Sequence, residues 1–152
     1  MTLSTGELVP ANSEILDGVD NLVVLGYVNE PSVLCNLQYR YNRDVFYTMA
    51  GPVLLAINPF KNALIIGSDV ITAYKEKILD SPHVYHVADT AYSAMMRDGL
   101  NRSIIIRESG SGKSVTAKLA IEYLVEVVSD NSERACRIRE SGFILEAKVE
   151  KL

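Results

Sequence analysis

One stretch constrains this chain more than any other: Ile106-Arg107-Glu108-Ser109-Gly110-Ser111-Gly112-Lys113-Ser114, between an apolar run and an amphipathic pattern. It nearly matches G-x-x-x-x-G-K-[ST], a loop whose backbone N–H groups converge on phosphates. Its flanks fit that reading. Residues 103–106 (SIII) predict a short apolar strand, and Ala120, Tyr123, Leu124, Val127 and Val128 mark one face of a following helix. A strand that feeds a phosphate loop and then a helix requires an α/β architecture.

The candidate nucleotide site is the run Glu108, Ser109, Gly110, Ser111, Gly112, Lys113 and Ser114. Gly110 and Gly112 lack Cβ atoms, so the backbone can turn sharply and aim several N–H groups at one phosphate. The helix that starts here adds unpaired N–H groups and a positive dipole end. Lys113 would set a cation on the outer phosphates, and the Ser114 hydroxyl would ligate Mg²⁺. The mismatch is Arg107, which stands where the pattern has glycine. If that position needs positive φ, an L-residue costs roughly 1–2 kcal/mol there. Its side chain would either crowd the phosphate or attract it. The bland alternative is a flexible turn with an exposed lysine.

Composition narrows the remaining classes. The chain has 152 residues, enough for one domain, with 48% hydrophobic and 22% charged residues, as in soluble globular proteins. Its net charge of −4 offers no basic field for nucleic acid. The start is neither basic nor apolar, and no apolar run approaches the roughly 20 residues that span a bilayer, so a soluble, cytoplasmic setting is expected. Cys35 and Cys136 lie far apart with no metal-binding spacing, and they read as ordinary thiols. His83 and His86 read as helix-surface residues rather than ligands, since no third ligand accompanies them.

Along the rest of the chain, residues 1–30 are turn-rich and read as an extended lead-in. Ser32, after Pro31, predicts the N-cap of a helix with Val33, Leu34, Leu37 and Tyr41 on its apolar face. Residues 45–50 (VFYTMA) and 53–57 (VLLAI) predict two strands joined by a Gly51-Pro52 turn. Ser81-Pro82 predicts a helix start, Gly99 its end, and Val84, Val87, Ala88, Ala91, Tyr92 and Met95 its core stripe.

The stretches TGELVPAN, NEPSVLCNLQYRY, YTMAGPVLLAINPFK, PHVYHVADTAYSAM and NRSIIIRESGSGKSVTAKLAIEYL carry a resemblance over residues 6–128. In this order they resemble the myosin head, above all that of the plant class VIII unconventional myosins. The resemblance implies an N-terminal fragment of a P-loop motor domain that binds ATP and Mg²⁺, hydrolyses ATP and moves along actin in the cytoskeleton. The family loop G-E-S-G-A-G-K-T maps onto Arg107 through Ser114, and Val115 replaces the glutamate that follows. The chain also reads one residue short between strand and loop. Adenine would sit beside Asn58 and Pro59, with Ile66 in the place of the family tyrosine. That exchange keeps apolar packing and loses the phenol's hydrogen bond.

The expected fold is a partial P-loop NTPase sheet with flanking helices and an incomplete core. Its expected organisation is a lead-in at 1–30, a partial motor at 31–130 and a divergent tail at 131–152. Residues 143–147 (FILEA) match the family only faintly, and no segment of either switch-loop type occurs within the 152 residues. Those loops complete Mg²⁺ coordination and position the attacking water, so motor activity of these residues alone is expected to be lost. Two other functions remain open: a nucleotide-binding module without catalysis, and a cytoskeletal interaction fragment that uses an uncovered apolar sheet. Unpaired strand edges also lead us to expect marginal stability.

Overall fold

The computed structural model describes residues 18–61, 66–107 and 112–128, which fall into two units divided between Ile57 and Asn58. In the first, β1 (Tyr47–Ala50) and β2 (Val53–Ala56) form an antiparallel hairpin in the register Tyr47↔Ala56 to Ala50↔Val53. Gly51 and Pro52 make the turn, as expected. Gly51 takes φ +61°, at the first central position where two-residue hairpin turns favour glycine. On the other edge of β1, the Met49 N–H donates to the Asp20 carbonyl at 2.8 Å. The stretch read as extended therefore holds a short 3-10 helix, Leu22–Val24, with Leu22 and Leu25 buried.

Helix α1 (Glu30–Tyr41) starts three residues earlier than the sequence suggests. Asn29 is its N-cap, and its Oδ1 accepts from the Ser32 N–H at 2.9 Å. Pro31 is tolerated because the first helical N–H groups have no intrahelical acceptor. The inward face is also not the apolar one. Leu34 is 58% exposed, whereas Ser32, Asn36 and Arg40, four residues apart, are buried. Distant partners account for this. Asn36 Oδ1 accepts from the Val19 N–H at 2.7 Å, and its Nδ2 donates to the Val19 carbonyl at 3.2 Å. Arg40 donates to Asp20 Oδ1 and, at 3.0 Å, to the Tyr47 carbonyl. This polar stripe fastens the 18–21 segment and β1 to α1.

The second unit is helical in its described residues: α2 (Ser68–Lys75), α3 (Val84–Asp98) and α4 (Lys113–Val128), packed on one another. Helix α2 has no counterpart among the expected elements, and of its eight residues Ile71 and Tyr74 are buried. Helix α3 ends at Gly99 in the left-handed conformation, as expected, but begins after His83 rather than at Ser81-Pro82. Ser81 is engaged elsewhere: its carbonyl accepts from Tyr74 Oη at 3.0 Å, and its hydroxyl lies 2.8 Å from the same atom. The core of this unit is an aromatic stack. Tyr85 and Tyr123 are both fully buried, with ring centroids 5.4 Å apart.

The strand expected at residues 103–106 does not form, and Ile105 is 79% exposed. A strand exists by pairing, and the sheet among the described residues has two strands, β1 and β2. The architecture is mixed α and β, with a hairpin in one unit and a three-helix layer in the other.

Candidate functional site

Of the expected phosphate loop, Glu108, Ser109, Gly110 and Ser111 lie outside the described residues, while Gly112, Lys113 and Ser114 form the start of α4. The Gly112 carbonyl accepts the first bonds of the helix, from the Thr116 N–H at 3.0 Å and from Thr116 Oγ1 at 3.2 Å. Gly112 itself has φ +85°, a conformation that a residue with a Cβ avoids. Lys113 is the first helical residue and is half-buried; Ser114 follows and is exposed.

Helix α4 is held from below by Leu119, Ala120, Tyr123 and Val125, all buried. Tyr123 Oη donates to Asp89 Oδ1 of α3 at 2.9 Å. That position, buried and next to a carboxylate, pushes the Tyr123 phenol well above the ordinary tyrosine range. At sixteen residues, α4 has an end dipole worth roughly half a positive charge at its N-terminus. The field at Gly112 through Ser114 thus favours an anion, and Lys113 adds a full charge.

Asn58 and Pro59 are distant in sequence from this turn, yet Asn58 is brought beside it. A Cβ built on Gly112 would lie 4.0 Å from Asn58 Nδ2. The other end of that amide is fixed, because Asn58 Oδ1 accepts from the Phe60 N–H at 2.9 Å. Its donor end is therefore the one turned to Gly112. At 4.0 Å that amide leaves the Cβ position of Gly112 unobstructed, so glycine is favoured at 112 by its φ and not by lack of space. Ile66, expected near a base, is 50% exposed, and Arg107 is also exposed.

His83 corrects the sequence reading most sharply. Expected on a helix surface, it is 1% exposed and caps α3 through Nδ1, which accepts from the Tyr85 N–H at 3.2 Å. Spacing along the chain gave no sign of this, because the rings around it come from α2 and α3. His86 lies 3.3 Å from the exposed Asp80 carboxylate. Among the described residues no group of three His, Cys, Asp or Glu side chains could hold a metal, and no helix is long and apolar enough to cross a membrane.

Residues 19–150 match the family described as myosin head (motor domain). The chain is 54% identical to Myosin-2 of Arabidopsis thaliana over 146 residues, which cover 95% of this chain and 12% of that protein. It is 61% identical to Myosin-1 of the same plant over 118 residues, 77% of this chain and 10% of the relative. With Unconventional myosin-Va of Gallus gallus it shares 44% over 134 residues, 85% of this chain and 7% of that one. The chain thus corresponds to 12% or less of the length of these relatives.

Proposed function

Because this chain belongs to the myosin head (motor domain) family, we propose that it carries the nucleotide-binding part of an actin-based motor, with Glu108 through Ser114 holding the phosphates of Mg-ATP. Asn58 and Pro59 complete the pocket on the side of the base. The supporting observation is the turn at Gly112: a left-handed glycine opens α4 beside the Asn58 amide. These residues fit the group. The helix end and Lys113 offset phosphate charge, the Asn58 Nδ2 donates rather than accepts, and the exposed Ser114 hydroxyl is accessible to a cation.

When bound, Mg-ATP supplies the phosphoanhydride whose hydrolysis drives such motors. The residues at hand bind and orient it. Phosphoryl transfer depends almost wholly on positioning and charge stabilisation, and residues 1–152 contain no switch-type segment to position a water. These residues by themselves therefore bind Mg-ATP without turning it over. Association with actin, and a cytoplasmic, cytoskeletal location, follow from the same family reading.

Isothermal titration of the 152-residue chain with Mg-ATP tests this. The expected dissociation constant is about 0.1–1 mM, roughly −4 to −5.5 kcal/mol, for a pocket lacking its switches. Lys113→Ala should remove the heat. No heat at millimolar nucleotide overturns the binding, and steady-state hydrolysis that Lys113→Ala abolishes overturns the lack of turnover.

A further inference from the structure

Thr116 directs both of its donors at one acceptor. Its N–H reaches the Gly112 carbonyl at 3.0 Å, and its Oγ1 donates to the same oxygen at 3.2 Å. A carbonyl oxygen has two lone pairs, so both bonds can be held at once. The residue that receives them is the pivot of the turn. Gly112 sits at φ +85°, and among the described residues the atom that a Cβ built there would meet is Asn58 Nδ2, at 4.0 Å. Glycine has the widest choice of φ and ψ of any residue, and no close packing narrows that choice here. The bonds from Thr116 do so, by holding its carbonyl.

The peptide that joins Gly112 to Lys113 is planar and trans, so its N–H points opposite to its C=O. With the carbonyl directed down the helix towards Thr116, the Lys113 N–H is directed out of the helix start, where a phosphate oxygen can accept it. Rotation of this one plane would turn the N–H aside and bring a carbonyl oxygen, which repels an anion, towards the mouth of the turn. Helix ends fray, and a second bond on the same carbonyl opposes that rotation.

We propose that Thr116 is a positioning residue for the phosphates: its hydroxyl holds the Gly112 carbonyl along α4 and thereby keeps the Lys113 N–H aimed at the ligand. This rests on the nucleotide reading above and adds to it a residue that does not itself touch the nucleotide. Hydroxyls that bond four residues back are ordinary in helices, and the chain holds its own comparison. In α2, Thr72 Oγ1 donates to the Ser68 carbonyl at 2.9 Å. That helix carries none of the phosphate-loop residues, so the same bond there has no ligand to position.

The test uses the 152-residue chain and three variants, with urea melts to establish that each is folded. Thr116→Val keeps the branched shape and removes the hydroxyl, Thr116→Ser keeps the hydroxyl, and Thr72→Val removes the comparison bond. In titrations with Mg-ATP, Thr116→Val should bind about three- to tenfold more weakly, as the loss of one hydrogen bond implies. Thr116→Ser and Thr72→Val should stay within about twofold of the parent. NMR relaxation of the backbone amides without nucleotide gives a second readout: the Lys113 N–H should be less ordered in Thr116→Val than in the parent and in Thr116→Ser. Equal affinities or equal Lys113 order in Thr116→Val and the parent overturn the proposal, as does an equal loss of affinity in Thr72→Val. Should the parent give no heat with Mg-ATP, the nucleotide reading falls, and the Lys113 order alone decides whether Thr116 holds the turn. Should Thr116→Val fail to fold, Thr116→Ala, which favours the helix, takes its place.

Discussion

Tyr123 Oη donates to Asp89 Oδ1 at 2.9 Å, so the helix that opens at Gly112 is pinned to α3 by a hydrogen bond from a fully buried ring. Tyr123→Phe keeps the ring and its stacking on Tyr85 and removes only this bond. The expected loss is about 1–2 kcal/mol, low for a charged acceptor because Asp89 is half-exposed and regains water. Chemical denaturation measures it, and a variant as stable as the parent would show that the bond does not hold α4.

The same bond sets an alkaline limit. Burial, and then Asp89, raise the Tyr123 pKa, and burial raises that of Tyr74. Above about pH 10 the unfolded chain releases these protons while the folded chain keeps them, so stability falls as pH rises. Below pH 10 both states are protonated and the contribution is fully present. Spectrophotometric titration should show tyrosines that ionise only on unfolding. Stability in Tyr123→Phe should decline less steeply above pH 10, by up to one proton, and an identical slope would count against the assignment.

The polar stripe of α1 makes a contrast testable in the first unit. Asn36→Ala strands both the N–H and the carbonyl of Val19 and should cost about 1–3 kcal/mol. Leu34→Lys, on the exposed face, should stay within about 0.5 kcal/mol. Urea melts rank the two, and the reverse order would mean that the apolar face is the buried one.

Gly112→Ala separates space from backbone. The added Cβ would come no nearer than 4.0 Å to Asn58 Nδ2, so room exists and the cost lies in φ, about 1–2 kcal/mol. Thermal melts should show that loss and titration a weakened Mg-ATP signal. Unchanged values in both would mean that the turn does not need positive φ.

Much of the fold was legible where a residue acts on its own backbone. The strand pair around Gly51-Pro52 and the end of α3 at Gly99 follow from glycine's tolerance of positive φ, and both form as expected. Helix starts were misplaced, since capping depends on which side chain is free to accept. Ser81 serves Tyr74, so His83 caps α3; Asn29 reaches Ser32, so α1 begins before Pro31 is passed. Of the candidate site, the Gly112-Lys113-Ser114 turn and its helix could be read directly. The approach of Asn58 to that turn could be reached only through family resemblance, because no local pattern joins residues so far apart.

The sequence by itself determined the family, the hairpin, the helix that follows the lysine and the glycines that allow its turns. These are properties of short stretches, encoded in φ preferences and side-chain periodicity. Tertiary structure alone decided that α1 buries Asn36 and Arg40 instead of Leu34, that residues 103–106 stay unpaired as a strand, and that His83 lies inside an aromatic box. Each depends on a partner supplied from elsewhere in the chain, and a hydrogen bond or a strand pairing has no energy until that partner arrives.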